Sequence, residues 1–75
     1  MGKLRVGILG AGRIAVIMAD TLSRMKGAVP YAVASRSIEK AQKFAKDNKV
    51  EVAYGSYEEM LKDPKVDLVY VAKTL

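Results

Sequence analysis

The chain has no cysteine and no histidine. Without Cys there is no disulfide and no thiolate metal site. Without His the commonest metal ligand and the commonest general base are both missing. No apolar run reaches the roughly 18 residues that a membrane-spanning helix needs. The apolar stretch near the N-terminus is broken by Gly10, Gly12 and Arg13, and Asp20 follows with no cleavage-like segment, so a signal peptide is not expected. These absences argue against a metal site and a membrane partner, and they make a reduced cytoplasm the expected compartment.

What remains is ordinary for a globular domain: 51% hydrophobic and 28% charged residues in a chain of 75. A chain of this length makes at most one small domain and buries only about 60% of its unfolded surface. The net charge is +5, from 13 Lys and Arg against 8 Asp and Glu. Lys40, Lys43, Lys46 and Lys49 recur every three residues along one predicted helix, which reads as a solvated face. Phe44 and the four Tyr are not interleaved with the basic residues, and no nucleic-acid motif is present, so a nucleic-acid partner is not expected.

The order of patterns is strand, helix, strand, helix, short strand, short helix, strand. Leu4 to Leu9 is an apolar, β-branched run that stops at Gly10, as a buried strand does. After Gly12 the period becomes helical, with Ile14, Ile17, Met18, Thr21, Leu22 and Met25 on one face. Gly27 is the expected stop, with Pro30 beyond it. Tyr31 to Ala34 is the second strand. Ser37 can cap a second helix whose inner face is Ile38, Ala41, Phe44 and Ala45 and whose end is Asn48. Val52 to Tyr54 is a short edge strand. Ser56 and Glu59 fit a capping box, and Asp63-Pro64 closes that helix. Val66 to Ala72 is the last strand, apolar except for Asp67. Strands alternating with helices imply parallel pairing through right-handed crossovers.

Gly10-Ala11-Gly12-Arg13-Ile14-Ala15 reads G-x-G-x-x-A, and it lies directly after a strand where a helix opens. In that context Gly10 permits the tight turn, Gly12 lets the backbone approach a pyrophosphate, and Ala15 lets the helix pack closely. The unpaired N–H groups of the first helical turn, at Arg13 and Ile14, then face the phosphates. The expected fold class is α/β: a partial doubly wound Rossmann domain, with a parallel sheet of three to four strands in order 3-2-1-4 and flanking helices.

At the end of the second strand an NAD site carries an acidic residue that bonds the ribose 2′-OH. This sequence has Ser35-Arg36-Ser37 there, with no acid before Glu39. A carboxylate would repel a 2′-phosphate, whereas an Arg pairs with one in a fork geometry. Ser35 and Ser37 can donate hydrogen bonds to it, and Arg13 and Lys40 add positive potential. The expected cofactor is therefore NADP, with NAD as the other possibility.

These segments resemble the Gfo/Idh/MocA oxidoreductases. The resemblance rests on Val6 to Ala15, on Val33-Ala34-Ser35-Arg36-Ser37 before a Lys- and Ala-rich helix, and on Ala53 to Leu61 followed by Asp63 to Ala72. The Ser-Arg pair looks most like the NADP-using dihydrodiol dehydrogenase branch. The resemblance implies hydride transfer between nicotinamide and a sugar, polyol or related alcohol or carbonyl substrate. It also puts Ala72 and Lys73 at a cofactor-loop position. Two departures stand out. The family continues this strand with Thr-Pro and later a His, where this chain has Lys73, Thr74 and Leu75. The family's catalytic Lys, in a Glu-Lys-Pro motif, belongs to a region further downstream, as does the substrate domain.

Residues 1–75 are accordingly expected to be the first part of a dinucleotide-binding domain, a fragment or truncated chain with no substrate domain and no catalytic residue of its own. The isolated chain is expected to be inactive and to self-associate through the exposed edge of its last strand. The alternative is a non-catalytic nucleotide-binding or interaction module on the same half-fold, and fold alone does not choose between the two.

Overall fold

A computed structural model describes residues 2–72. The elements run β1 (Leu4–Leu9), α1 (Arg13–Arg24), β2 (Ala28–Ala34), α2 (Ile38–Asn48), β3 (Val52–Tyr54), α3 (Tyr57–Leu61) and β4 (Leu68–Val71). The four strands form one sheet in the order β3-β2-β1-β4, and every pair is parallel. This is the expected Rossmann arrangement. Among the described residues no helix is long and apolar enough to cross a membrane.

Alternation along the strands divides the core into two layers. Val6, Ile8 and Val33 point to one face and pack with Ala15, Ala19 and Leu22 of α1 and with Ala41 and Phe44 of α2. Tyr31, Ala32 and Ala34 belong to the other layer, which Met60 of α3 covers. Burying a side chain such as Ile8 or Val33 completely stabilises the fold by about 1.5–3 kcal/mol. On the α3 side the approach is tight. A Cβ on Gly7 would come within 2.9 Å of Met60 Sδ and 3.1 Å of Val66 Cγ1.

The inner face of α1 differs from the one its large apolar residues predict. Ala15, Ala19 and Leu22 are buried, while Ile14, Ile17 and Met25 are 40%, 61% and 49% exposed. The helix lies close to the sheet, and the positions nearest the strands hold only a methyl group. Periodicity alone weights Ile above Ala and so rotates the expected face. In α2 the inner residues are Ala41 and Phe44, as expected, but Ile38 is 42% exposed.

β2 starts at Ala28, three residues before the predicted strand, so Pro30 lies inside it. The β1–β2 register jumps from Val6↔Pro30 to Gly7↔Ala32, leaving Tyr31 as the extra residue of a bulge. A bulge is where a strand tolerates a proline, which has no N–H to give the ladder. The helix before it stops at Arg24, with the Met25 N–H donating to the Leu22 carbonyl, so Gly27 is not the stop.

β4 is shorter than predicted. Asp67 lies just before it and fastens it to β1: the Arg5 N–H donates to Asp67 Oδ2 at 2.9 Å, and the Asp67 N–H donates to the Arg5 carbonyl at 2.8 Å. The Arg5 backbone N–H, followed by the Arg5 charge and side chain, holds the Asp67 carboxyl below its ordinary range. This pairing with Arg5 also explains an acid in an otherwise apolar run. Leu68 and Val71 are more than half exposed, so β4 is not buried on both faces by the described residues.

Candidate functional site

The carboxyl ends of the strands are tied into one row. The Ala72 N–H donates to the Leu9 carbonyl at 2.8 Å, the Gly10 N–H to the Ala34 carbonyl at 2.7 Å, and the Ser35 N–H to the Tyr54 carbonyl at 3.1 Å. Each bond continues the sheet one step past a strand end, so the segments leaving β1, β2 and β4 start from fixed points. Ligands of open α/β sheets bind in the crevice beyond this edge.

Gly10 leaves β1 with φ 109, which only glycine adopts without strain. Gly12 is the N-cap of α1 in an extended conformation, and the cap has no side-chain hydrogen bond. The first turn of α1 contains no acid. Its leading N–H groups therefore have neither a capping side chain nor a neighbouring carboxylate, and they carry the positive end of a three-turn helix. A Cβ built on Gly12 meets nothing within 4 Å. Packing within this chain therefore gives no reason for glycine here, and neither does the backbone angle. What glycine leaves is open space above a helix N-terminus, which fits a pyrophosphate.

Beside that space Ser37 caps α2, accepting from the Lys40 N–H at 3.3 Å. Ser35 Oγ accepts from the Ser37 N–H at 3.3 Å. Both hydroxyls are thus oriented by backbone bonds and keep an O–H to donate. The hollow between the glycine turn and the start of α2 has a volume of about 490 Å³. It is lined by Gly10, Ala11, Gly12, Ser35, Arg36, Lys40, Tyr57 and Ala72. Size does not single it out, since a hollow of the same volume lies at the opposite end of β1, around Lys3 and Arg5. Chemistry does: two cations, a serine and the glycine turn meet here, and no carboxylate is among the lining residues.

Of the ten expected site residues, Gly10, Gly12, Ser35, Arg36, Lys40 and Ala72 line this hollow together. Ser37 stands behind it as the cap of α2. Arg13 and Ile14 lie in the first turn of α1 with exposed side chains that do not line it, so only their backbone N–H groups are placed to serve it. Lys73 lies outside the described residues. Tyr57 was not expected. It is the first residue of α3, partly buried against the layer of Tyr31, Ala32, Ala34 and Met60, and it forms part of the wall of the same hollow that Arg36 and Lys40 line.

Below this wall two phenols share one carboxylate. The Tyr54 hydroxyl donates to Asp63 Oδ2 at 2.6 Å, and the Tyr31 hydroxyl donates to the same oxygen at 3.0 Å. The Lys65 N–H donates to Asp63 Oδ1 at 2.8 Å. Donation to Asp63, helped by burial, pushes the Tyr54 phenol up to about 12. Burial first and then the same carboxylate raise Tyr31 as well. The Tyr54 hydroxyl and the Lys65 N–H hold Asp63 below its ordinary value. The cluster staples the end of β3 to the turn after α3 and so stiffens the Tyr57 wall.

Comparison with known proteins agrees with this geometry. The Gfo/Idh/MocA family, described as an oxidoreductase family with an NAD-binding Rossmann fold, matches residues 4–74. A trans-1,2-dihydrobenzene-1,2-diol dehydrogenase of Xenopus tropicalis is 44% identical over 68 residues, covering 87% of this chain and 20% of that protein. An NAD binding oxidoreductase of Klebsiella pneumoniae superposes with a TM-score of 0.89 at 29% identity, over 96% of this chain and 21% of that one. A 3-ketoreductase of Actinomadura kijaniata, solved in complex with NADP, superposes with a TM-score of 0.82 at 32% identity, over 93% of this chain and 22% of that one. The chain thus spans about a fifth of the length of the curated relatives it matches.

Proposed function

Because the chain belongs to the Gfo/Idh/MocA oxidoreductases, we propose that it binds NADP(H) as the cofactor-holding segment of an enzyme that moves a hydride between nicotinamide and a sugar, polyol or related alcohol or carbonyl substrate. One observation carries the preference for the phosphorylated cofactor. Arg36 and Lys40 line the hollow beside the end of β2, and no carboxylate does. Arg36 pairs with the 2′-phosphate through its guanidinium fork, and Lys40 adds a point charge from the first turn of α2. Ser35 donates from its hydroxyl. The glycine turn and the first N–H groups of α1 receive the pyrophosphate, and the helix dipole adds to their attraction. When bound, the nicotinamide supplies the hydride chemistry, and the residues named here hold and orient the rest of the cofactor.

The relatives support both parts of this reading without choosing the cofactor. One solved neighbour is an NAD binding protein and another is a ketoreductase holding NADP. Residues 1–75 are proposed as the first part of the dinucleotide-binding domain, with substrate contacts and the family's catalytic Lys supplied by chain outside them. Among the described residues the outer edge of β4 pairs with no strand, and it carries the exposed Leu68 and Val71. For the chain on its own, a second copy is proposed to pair on that edge.

Titrating NADPH and NADH by the change in cofactor fluorescence tests the central reading. NADPH is expected to bind more tightly. Arg36→Ala should weaken NADPH by the roughly 1.5–3 kcal/mol of a hydrogen bond to a charged group and leave NADH nearly unchanged. Equal affinity for the two, or tighter NADH, overturns the preference.

A further inference from the structure

Gly55 has an ordinary backbone, since Gly10 is the one glycine with positive φ among the described residues. Its requirement is space. A Cβ on Gly55 would lie 3.0 Å from Ile38 Cβ, closer than nine in ten real Cβ contacts, and 3.6 Å from both Ile38 Cα and Cδ1. Two of those three atoms belong to the root of the residue, so rotating the Ile38 side chain gives no relief. Ile38 is the first residue of α2, and it follows Arg36 and the cap Ser37 directly. Gly55 is followed by the cap Ser56 and then Tyr57. The turn before α3 therefore rests on the turn before α2, with room for a hydrogen only. One residue upstream the same two turns are joined by the Ser35 N–H to Tyr54 carbonyl bond.

We infer that Gly55 is a positioning residue for cofactor binding: its contact with Ile38 sets the spacing between the α3 start that carries Tyr57 and the α2 start that carries Arg36 and Lys40, all three of which line the hollow. The inference rests on the reading of this hollow as a dinucleotide site. A side chain at 55 must be relieved by a shift of a few tenths of an ångström. The hydrogen bond at Ser35 and the staple of Tyr54 on Asp63 fix the turn on its other sides. The relief therefore falls on the segment from Gly55 to Tyr57 and changes the spacing of Tyr57 from Arg36 and Lys40. Neither Gly55 nor Ile38 lines the hollow, so the effect reaches the cofactor only through that spacing.

The test is isothermal titration of NADPH into the full-length protein and its variants, reading affinity and site number separately. Gly55→Ala should raise Kd by about threefold and Gly55→Val by about tenfold or more, with the number of sites per chain unchanged. Partial unfolding would instead lower the site number at constant Kd. Adding Ile38→Gly, which removes the opposing Cβ, should return the Gly55→Ala variant close to the wild-type Kd. Tyr57→Ala should weaken binding alone and add nothing in the Gly55→Val background. The inference is overturned if Gly55→Val binds as wild type, if its loss appears only in site number, or if Ile38→Gly gives no recovery. If the Gly55 variants do not fold, Tyr57→Ala decides: wild-type affinity overturns the inference, and weakened affinity supports it. Failure of the wild-type protein to bind either dinucleotide is a different result, and it removes the dinucleotide reading itself.

Discussion

The Tyr54 hydroxyl donates to Asp63 Oδ2 at 2.6 Å, and this bond couples the end of β3 to the turn after α3. It favours a protonated phenol and an ionised carboxylate in the folded chain. The phenol is raised from 10.0 to about 12, so its contribution is complete below pH 10 and is lost as pH rises toward 12. The carboxyl is lowered from 3.8, so its contribution is complete above that value and is lost as pH falls through the lowered one. Urea midpoints of the wild type and Tyr54→Phe should therefore differ at neutral pH, with the variant less stable. The gap should narrow between pH 10 and 12. A gap constant across that range would mean the pair does not titrate as described.

Gly12→Ala separates folding from binding. The Gly12 backbone is extended and an added Cβ meets nothing, so stability should fall by no more than about 1 kcal/mol, the cost of a poorer N-cap. NADPH affinity should fall by about tenfold or more, since the methyl group enters the space above the helix N-terminus. Thermal unfolding without cofactor and a cofactor titration check the two halves. Normal binding by the variant would move the phosphate site away from the glycine turn.

Gly7→Ala should act the other way, on stability first. Its Cβ would sit 2.9 Å from Met60 Sδ in a fully buried contact. Overpacking of this kind costs about 1–3 kcal/mol. Met60→Ala is costly by itself at this buried site, but its loss should be smaller in the Gly7→Ala background, because the new methyl then fills part of the space that the shortened side chain leaves. Denaturant midpoints of the two single variants and the double variant give the coupling directly.

The outer edge of β4 gives a test of association. Light scattering on the 75-residue chain should report species larger than a monomer. Val71→Lys puts a charge at an exposed position of that edge and should return the monomer. A wild-type chain that stays monomeric at micromolar concentration would refute pairing through this edge.

Much of the fold could be read from local chemistry. Ser37 and Ser56 are the caps they were expected to be, because a serine that accepts from the N–H three residues on announces a helix start by itself. The glycine turn was legible for the same reason, since its spacing and its place after a strand are both local. What was not legible depends on approach distances between elements. Ile14 and Ile17 outrank Ala15 and Ala19 in any hydrophobic count, yet the alanines face the sheet because the helix lies close to it. Pro30 is expected between the end of α1 and a strand starting at Tyr31, yet a bulge accommodates it inside β2. Tyr57 entered the site through the contact of Gly55 with Ile38, a meeting of residues 17 apart in sequence that neither segment signals alone. A glycine between Tyr54 and the cap Ser56 was the one available hint.

The row of bonds from Ala72 to Leu9, Gly10 to Ala34 and Ser35 to Tyr54 also bears on when the site is ordered. These three amides belong to loops, where hydrogen–deuterium exchange is ordinarily fast, yet each is locked as the last rung of a parallel ladder. Their protection should approach that of the strand interiors and should already be present in the protein without cofactor. A dinucleotide then meets a rim whose ordering entropy was spent during folding, and little of its binding energy is needed to organise the site.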